Sequence, residues 1–424
     1  MRAKSHSTSK GKVSRRDSLK LTLALAIACV CLGMPGSLSG QPVKEVKFGI
    51  IEPLSGPLAS LGEQDKHGYE LAVENINNAG GIKSLGGAKL RMIIGDSESK
   101  PQVGMAQAER LIREGVVALS GCFQSSVTFG TTQVAEKNKV PHLINVGVAD
   151  AIVERGFKYT FRVVERGSWA ARDQYKYLDW VAKETGLKAK TIGMLYEDTL
   201  FGQTCKKAWL KYGKKHGYKI VADLSYPHNT SDLTGTISKL RVKKPDVILS
   251  ANYTSDAILI AKTMKDLNVT PMAFIAIGGG MQDPAFIKSL GKDSTDFSVM
   301  SASGDDITVP GVAEISKQFR KRFNTGMDPV AALSYTTVYV LKDALERAGS
   351  IDREKLREAL TQTNIGIGEK GSILPSPIQF GKDGQNQGSR CVVIQIRDGK
   401  RTAVYPPDIS PSEPIWPMRP WGKK

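Results

Sequence analysis

"FGIIEPLSGPLASLGEQDKHGYELAVENINNAGGI", residues 48–82, sets an apolar run from Phe48 to Ile51 against Pro53 and a Ser55-Gly56-Pro57 turn. A polar entry follows. Tyr69, Ala72, Val73 and Ile76 then recur at helical spacing as one apolar stripe, which Gly80-Gly81 stops. A continuously apolar strand is covered on both faces, and a strand leading into an amphipathic helix is one unit of a parallel sheet. The turn between them carries no catalytic side chain, so backbone and hydroxyl groups are what the strand delivers.

The unit repeats along the chain. "LRMII" leads into a helical segment over 102–113 with Met105, Ala108, Leu111 and Ile112 on one side. "VVAL" leads through "SGCFQSS" to a helix holding Val134, and "PHLINV" closes this first run. After "YTFRVV" a second run comprises "TIGMLY", "KIVADL", "DVILS", "AFIAI" and "FSVM", each but the last followed by a helical stretch. Two such runs predict an α/β protein of two open, mainly parallel lobes. Helical segments over 312–323 and 330–347 follow, then "CVVIQI" and "RTAVYP" as late antiparallel strands. The tail "YPPDISPSEPIWPMRPWGKK" is too proline-rich for a helix and is expected to drape over one lobe.

At 424 residues the chain exceeds one ordinary core. Its net charge is +17, of which residues 1–40 contribute six through seven Lys/Arg and one Asp. The remaining Lys and Arg alternate with acids, as in "KETGLKAK", a solvated basic face rather than a nucleic-acid footprint. Residues 1–40 read as an export signal: Arg15-Arg16 in "SRRDSLK" precede "LTLALAIACVCLG", which is too short to span a bilayer. The pattern SRRxxLK resembles a twin-arginine signal, with ordinary Sec export as the alternative because Ser18 stands where that motif prefers Phe. "SLSG" supplies small residues for cleavage near residue 40, and Cys29 offers an alternative lipoprotein attachment. Cys122, Cys205 and Cys391 form no CxxC, and no histidine has metal-ligand spacing to another, so neither a metal nor a cofactor is expected.

In open α/β sheets, ligands sit outside the carboxyl ends of the strands. "GCFQSSVT" is the most informative loop there: Ser125, Ser126 and Thr128 bring hydroxyls to a helix start, beside free N–H groups and the positive end of the helix dipole. Such a site suits a carboxylate or phosphate oxygen, and also suits a plain helix cap. In "NVGVAD", Gly147 allows close backbone approach; "NYTSD" places Tyr253 after a buried strand with Ser255 as the expected cap; "TLFG" places Phe201 at the equivalent point; "IGGGMQD" offers room without charge. GxGxxG after a strand, GxxxxGK[ST] and GxSxG are all missing, and Glu52, Glu63, Asp150 and Glu197 have no evident partner for acid/base work. Binding, rather than catalysis, is the reading.

Taken in order, "FGIIEPLSGPLASLGEQDKHGYELAVENINNAGGI", "LRMIIGDSESKPQVGMAQAERLI", "GCFQSSVT", "VPHLINVG", "KYTFRVV", "YEDTLFGQ", "KPDVILSANY" and "GKDGQNQG" resemble the periplasmic substrate-binding proteins of ABC transporters, of the leucine/isoleucine/valine-binding type. The resemblance covers nearly all of residues 44–400. It implies a type I periplasmic binding fold whose lobes are joined by three crossing hinge segments, with the ligand cleft between them. The crossings would fall near 164–167, 301–304 and 364–367, giving a first lobe of 41–166 plus 302–364, a second of 167–301 plus 365–400, and a tail of 401–424.

By the same resemblance, Ser125 and Ser126 would take the ligand's carboxylate, Gly147 and Ala149 would give backbone contacts, and Phe201 and Tyr253 would close over it. Gly279 stands where amino-acid binders hold the ammonium with an acid, Ala149 where they use a hydroxyl, and Leu61 where they often use an aromatic. An ammonium buried without a counter-charge costs several kcal/mol, so these departures favour a carboxylate with an apolar or aromatic body. The implied protein is a periplasmic monomer that delivers this small molecule to membrane permease subunits. A sensory receptor of the same fold, or a secreted hydrolase using Ser125, are the rivals.

Overall fold

The computed structural model describes residues 1–8 and 43–423, and divides into two units, Met1–Pro42 and Val43–Lys424. Most of the expected export signal, including Cys29, lies outside the described residues.

In the second unit, β1 (Glu45–Glu52) and α1 (Ala59–Asn78) are the strand and helix of the opening stretch. Phe48 and Ile50 bury against Tyr69, Ala72 and Ile76 in one core cluster, so the stripe faces the sheet. Then come β2 (Lys89–Asp96), α2 (Pro101–Arg113), β3 (Leu119–Gly121), α3 (Ser125–Lys137), β4 (His142–Ile144) and β5 (Thr160–Arg162). They make a parallel sheet ordered β2-β1-β3-β4-β5.

The second sheet is ordered β14-β13-β10-β9-β8-β6-β7. It is built from β6 (Thr191–Glu197), β7 (Lys219–Tyr226), β8 (Val247–Ala251), β9 (Ala273–Ile277) and β10 (Ser298–Ser301), all parallel. To these β13 (Val392–Arg397) and β14 (Lys400–Tyr405) add antiparallel. Helices α4 (Gly167–Thr185), α5 (Leu200–His216), α6 (Thr234–Lys243), α7 (Thr254–Asp266) and α8 (Pro284–Leu290) alternate with its strands. The mainly parallel two-sheet α/β architecture therefore stands.

Three late helices return to the first half. In α9 (Val312–Phe323), Gln318 bonds Asn75 of α1 and Phe323 stacks on His67; α10 (Pro329–Ala348) packs along α1; α11 (Arg353–Thr361) packs on α10. Chain passages between the two sheets fall at 163–166 and 302–305.

The third passage is a correction. The segment 364–367 does not enter the second sheet: β11 (Asn364–Ile365) pairs with β12 (Ile378–Gln379), and Ile373 N–H donates to Thr336 on α10. Gln385 and Asn386 then bridge Arg162 beside β5. Residues 365–386 thus belong with the first half, and the chain crosses only between Asn386 and Val392.

The stretch taken as tail also contributes β14. Beyond it, residues 406–423 lie on the second half, where Met418 N–H donates to Met272 carbonyl (2.7 Å) and Trp421 Nε1 to Val269 carbonyl (2.9 Å).

Candidate functional site

The carboxyl ends of both sheets converge on one crevice. On the first side, Gly121 has φ +100°, and a Cβ there would meet Glu52 Oε1 at 2.3 Å, so only glycine lets β3 turn into the next loop. Phe123, with φ +43°, projects from that turn and is buried. Gln124 is the N-cap of α3 and makes no side-chain cap bond, so neither serine is the cap. Ser125 is the first helical residue, and its Oγ accepts a hydrogen bond from Ala149 N–H at 3.2 Å. Ser126 follows, half-buried.

The 145–149 loop is fixed from behind. Arg162, fully buried, donates through Nη1 to the carbonyls of Gly147 (3.1 Å) and Ala149 (2.7 Å), and through Nε to Gln385 (2.6 Å). Burial lowers its pKa to about 10, still a cation at neutral pH. A Cβ on Gly147 would meet Thr128 Oγ1 at 2.6 Å, so this glycine admits α3. Asn145 donates to Asp65 and to Ser334, each at 2.9 Å. Glu52, which sequence left without a partner, neighbours Asp65. Burial and then the Asp65 charge push Glu52 well above the usual carboxylate range, and burial raises Asp65 against the Ser334 hydrogen bond. The two buried carboxyls lie side by side behind the loop, each pushed toward its neutral form.

On the second side, Glu197 ends β6 and accepts from Thr199 N–H (2.7 Å), Thr199 hydroxyl (2.9 Å) and Gly202 N–H (2.7 Å), which sets Phe201 at the start of α5. Tyr253 occupies the N-cap position of α7, not Ser255, and its N–H donates to Asp256. The Phe201 and Tyr253 rings are 5.6 Å apart, and His228 stands edge-on to Tyr253 at 5.4 Å.

The two sides touch. A Cβ on Gly279 would meet Phe123 Cζ at 2.9 Å and Leu61 Cδ2 at 3.0 Å. Phe123 and Tyr253 lie 6.2 Å apart, Leu200 packs into the cluster containing Ala149, and Ser60 donates to Asp283 at 3.0 Å. Leu61, Phe123, Phe201 and Tyr253 share one buried apolar cluster. Sequence reading missed Phe123, Arg162 and Asp283. The acid of the glycine loop sits four residues past Gly279, and its oxygens are taken by Ser60, Thr254 (2.8 Å) and the Ala285 N–H (2.8 Å) at the start of α8.

The profile of periplasmic binding proteins matches residues 45–400. The chain belongs to the periplasmic binding protein family. Among relatives of this family, a Leu/Ile/Val-binding protein homolog 8 of Brucella abortus is 29% identical over 400 residues, covering 92% of this chain and 97% of its own. A leucine-binding protein of Thermotoga maritima superposes with a TM-score of 0.75 at 22% identity, covering 86% of this chain and 99% of that one. A solute-binding protein of an R. palustris ABC transporter, in complex with benzoate, superposes with a TM-score of 0.75 at 17% identity, covering 88% and 99%.

Proposed function

We propose that the chain is an exported solute-binding protein that captures a small carboxylate-bearing molecule with an apolar or aromatic body, by closure of its two halves, and delivers it to an ABC transporter permease. One observation carries the reading: the loops of two separate sheets meet in a crevice where Ser125 and the Ala149 N–H bond each other beside a box of Leu61, Phe123, Phe201 and Tyr253. A carboxylate entering between Ser125 Oγ and Ala149 N takes both donors, and α3 adds its dipole. Ser126 and the Gly147 backbone flank that anchor.

The Arg162 guanidinium, spent on loop carbonyls, supplies positive potential from behind. The apolar walls supply desolvation, and closure is the state a permease reads. An α-ammonium finds Asp283 already occupied and Gly279 without a side chain, which favours an aromatic or branched acid over an α-amino acid. No step of covalent chemistry is implied. Cys122 and His142, 3.8 Å apart, are both fully buried, and burial holds each in its neutral form. The leucine-binding protein of Thermotoga maritima and the R. palustris benzoate complex bracket the choice. Calorimetric titration separates them: benzoate-type acids should bind at least tenfold tighter than leucine, and tighter leucine binding overturns the ligand class while leaving the capture reading intact.

A further inference from the structure

A second opening lies away from the crevice, in a cavity of about 600 Å³ lined by Lys288, Asp305, Asp306, Arg320, Lys400 and Arg401. It adjoins an opening of about 480 Å³, which shares Asp305 and Arg320 with it and adds Lys317 and Lys321. Both acids are engaged. Asp306 accepts the Ala403 N–H through both oxygens (3.1 Å each), and Asp305 Oδ2 takes Arg401 Nη2 at 3.4 Å.

Arg401 is the built element of this groove. Its side chain is only 7% exposed. Nη1 donates to Gln282 carbonyl (3.0 Å) and Nη2 to Met327 carbonyl (3.1 Å), while buried Nε has no hydrogen-bond partner. Asp305 Oδ1 is likewise buried without a donor. Lys288, Lys317, Arg320, Lys321 and Lys400 make no ion pair among the described residues. The groove spans both halves: Lys288 on α8 and Lys400 and Arg401 on β14 face α9, which rides on α1 of the first half.

We propose that this groove binds a multivalent oxyanion of the polycarboxylate or phosphate class, bridging the two halves. Cations gathered from two moving bodies repel as the bodies close, and a bridging anion turns that repulsion into attraction. Arg320 and the flanking lysines supply donors to anionic oxygens, while Arg401, held by the Gln282 and Met327 carbonyls, adds a fixed positive charge to the wall. Binding there favours the closed arrangement and, by linkage, tightens the crevice for its own ligand. The site stands independently of which solute the crevice takes.

The test is calorimetric titration of the mature protein with citrate and with pyrophosphate, using acetate at matched ionic strength as the blank, with small-angle scattering on the same samples. The expected result is one citrate or pyrophosphate per chain and a smaller radius of gyration. Arg320→Gln and Lys400→Gln, on opposite sides, should each weaken binding by about tenfold, the loss of one charge-assisted contact. Lys214→Gln, on α5 and outside the groove, should leave binding unchanged. No saturable binding, or equal loss in all three variants, overturns the site. Loss confined to one side overturns the bridge.

Discussion

Ser125 Oγ and the Ala149 N–H, 3.2 Å apart, are the two donors that a ligand carboxylate would separate. Ser125→Ala removes one of them and should weaken acid binding by about 1–3 kcal/mol, the loss of a partner at a buried charge. Titration calorimetry reads this, and unchanged affinity removes Ser125 from the site. Phe123 makes a different contribution: its ring meets Gly279 and Tyr253 across the crevice. Phe123→Ala deletes a buried wall and should lower affinity for an aromatic acid by about tenfold, with less effect on a branched one. Equal effects on both ligands would contradict an aromatic box. The place of Ser125 at a helix start was legible in the sequence, because hydroxyls there have a local meaning. Phe123 was not, since a bulky residue at φ +43° reads as a helix entry rather than as a wall. Arg162 and Asp65 escaped for another reason: their partners, Gln385 and Asn145, lie 223 and 80 residues away.

Among elements, α1 reads well because its burial is periodic: Tyr69, Ala72 and Ile76 of the stripe are buried and Val73 half-buried. The third passage did not, because β11 and β12 have two residues each, too few for any period to show. The passages also carry titrating groups. Glu165, in the first, is buried against Cys391 of the third, and burial, with a smaller push from Asp173, raises its carboxyl to about 7 against the opposing Cys391 hydrogen bond and Arg162 charge. Asp328, the N-cap of α10, is raised by burial to about 7 against the lowering pull of Arg401. An unfolded carboxyl titrates near pH 4, so between about pH 4 and 7 the folded chain binds protons that the unfolded chain has lost. Stability from these groups is therefore full below about pH 4 and is lost as pH rises through 7. Thermal melts from pH 4.5 to 8 should show a falling midpoint, with a shallower fall in Glu165→Gln and Asp328→Asn, the latter keeping its cap oxygen. Slopes identical to the parent would contradict the assignment.

At the scale of the whole molecule, two sheets hold their carboxyl ends against each other and, among the described residues, three short passages connect them, an arrangement suited to hinge separation of the halves. Closed, Leu61 and Phe123 rest on Gly279 and Ser60 bonds Asp283. A Cβ at 279 would press on the ring tip of Phe123 and on Leu61, so the branched side chain of Gly279→Val crowds this contact and should hold the halves apart. Small-angle scattering should then give a larger radius of gyration with ligand present, whereas a radius equal to that of the parent would contradict closure on this contact. The central claim is that both halves grip one acid in this crevice, and a crystal structure with the tightest-binding acid tests it most directly. The account predicts the carboxylate between Ser125 Oγ and the Ala149 N–H, with the ligand body against Phe201 and Tyr253. A carboxylate gripped by a lysine or arginine side chain, or a ligand lodged outside the crevice, would contradict it.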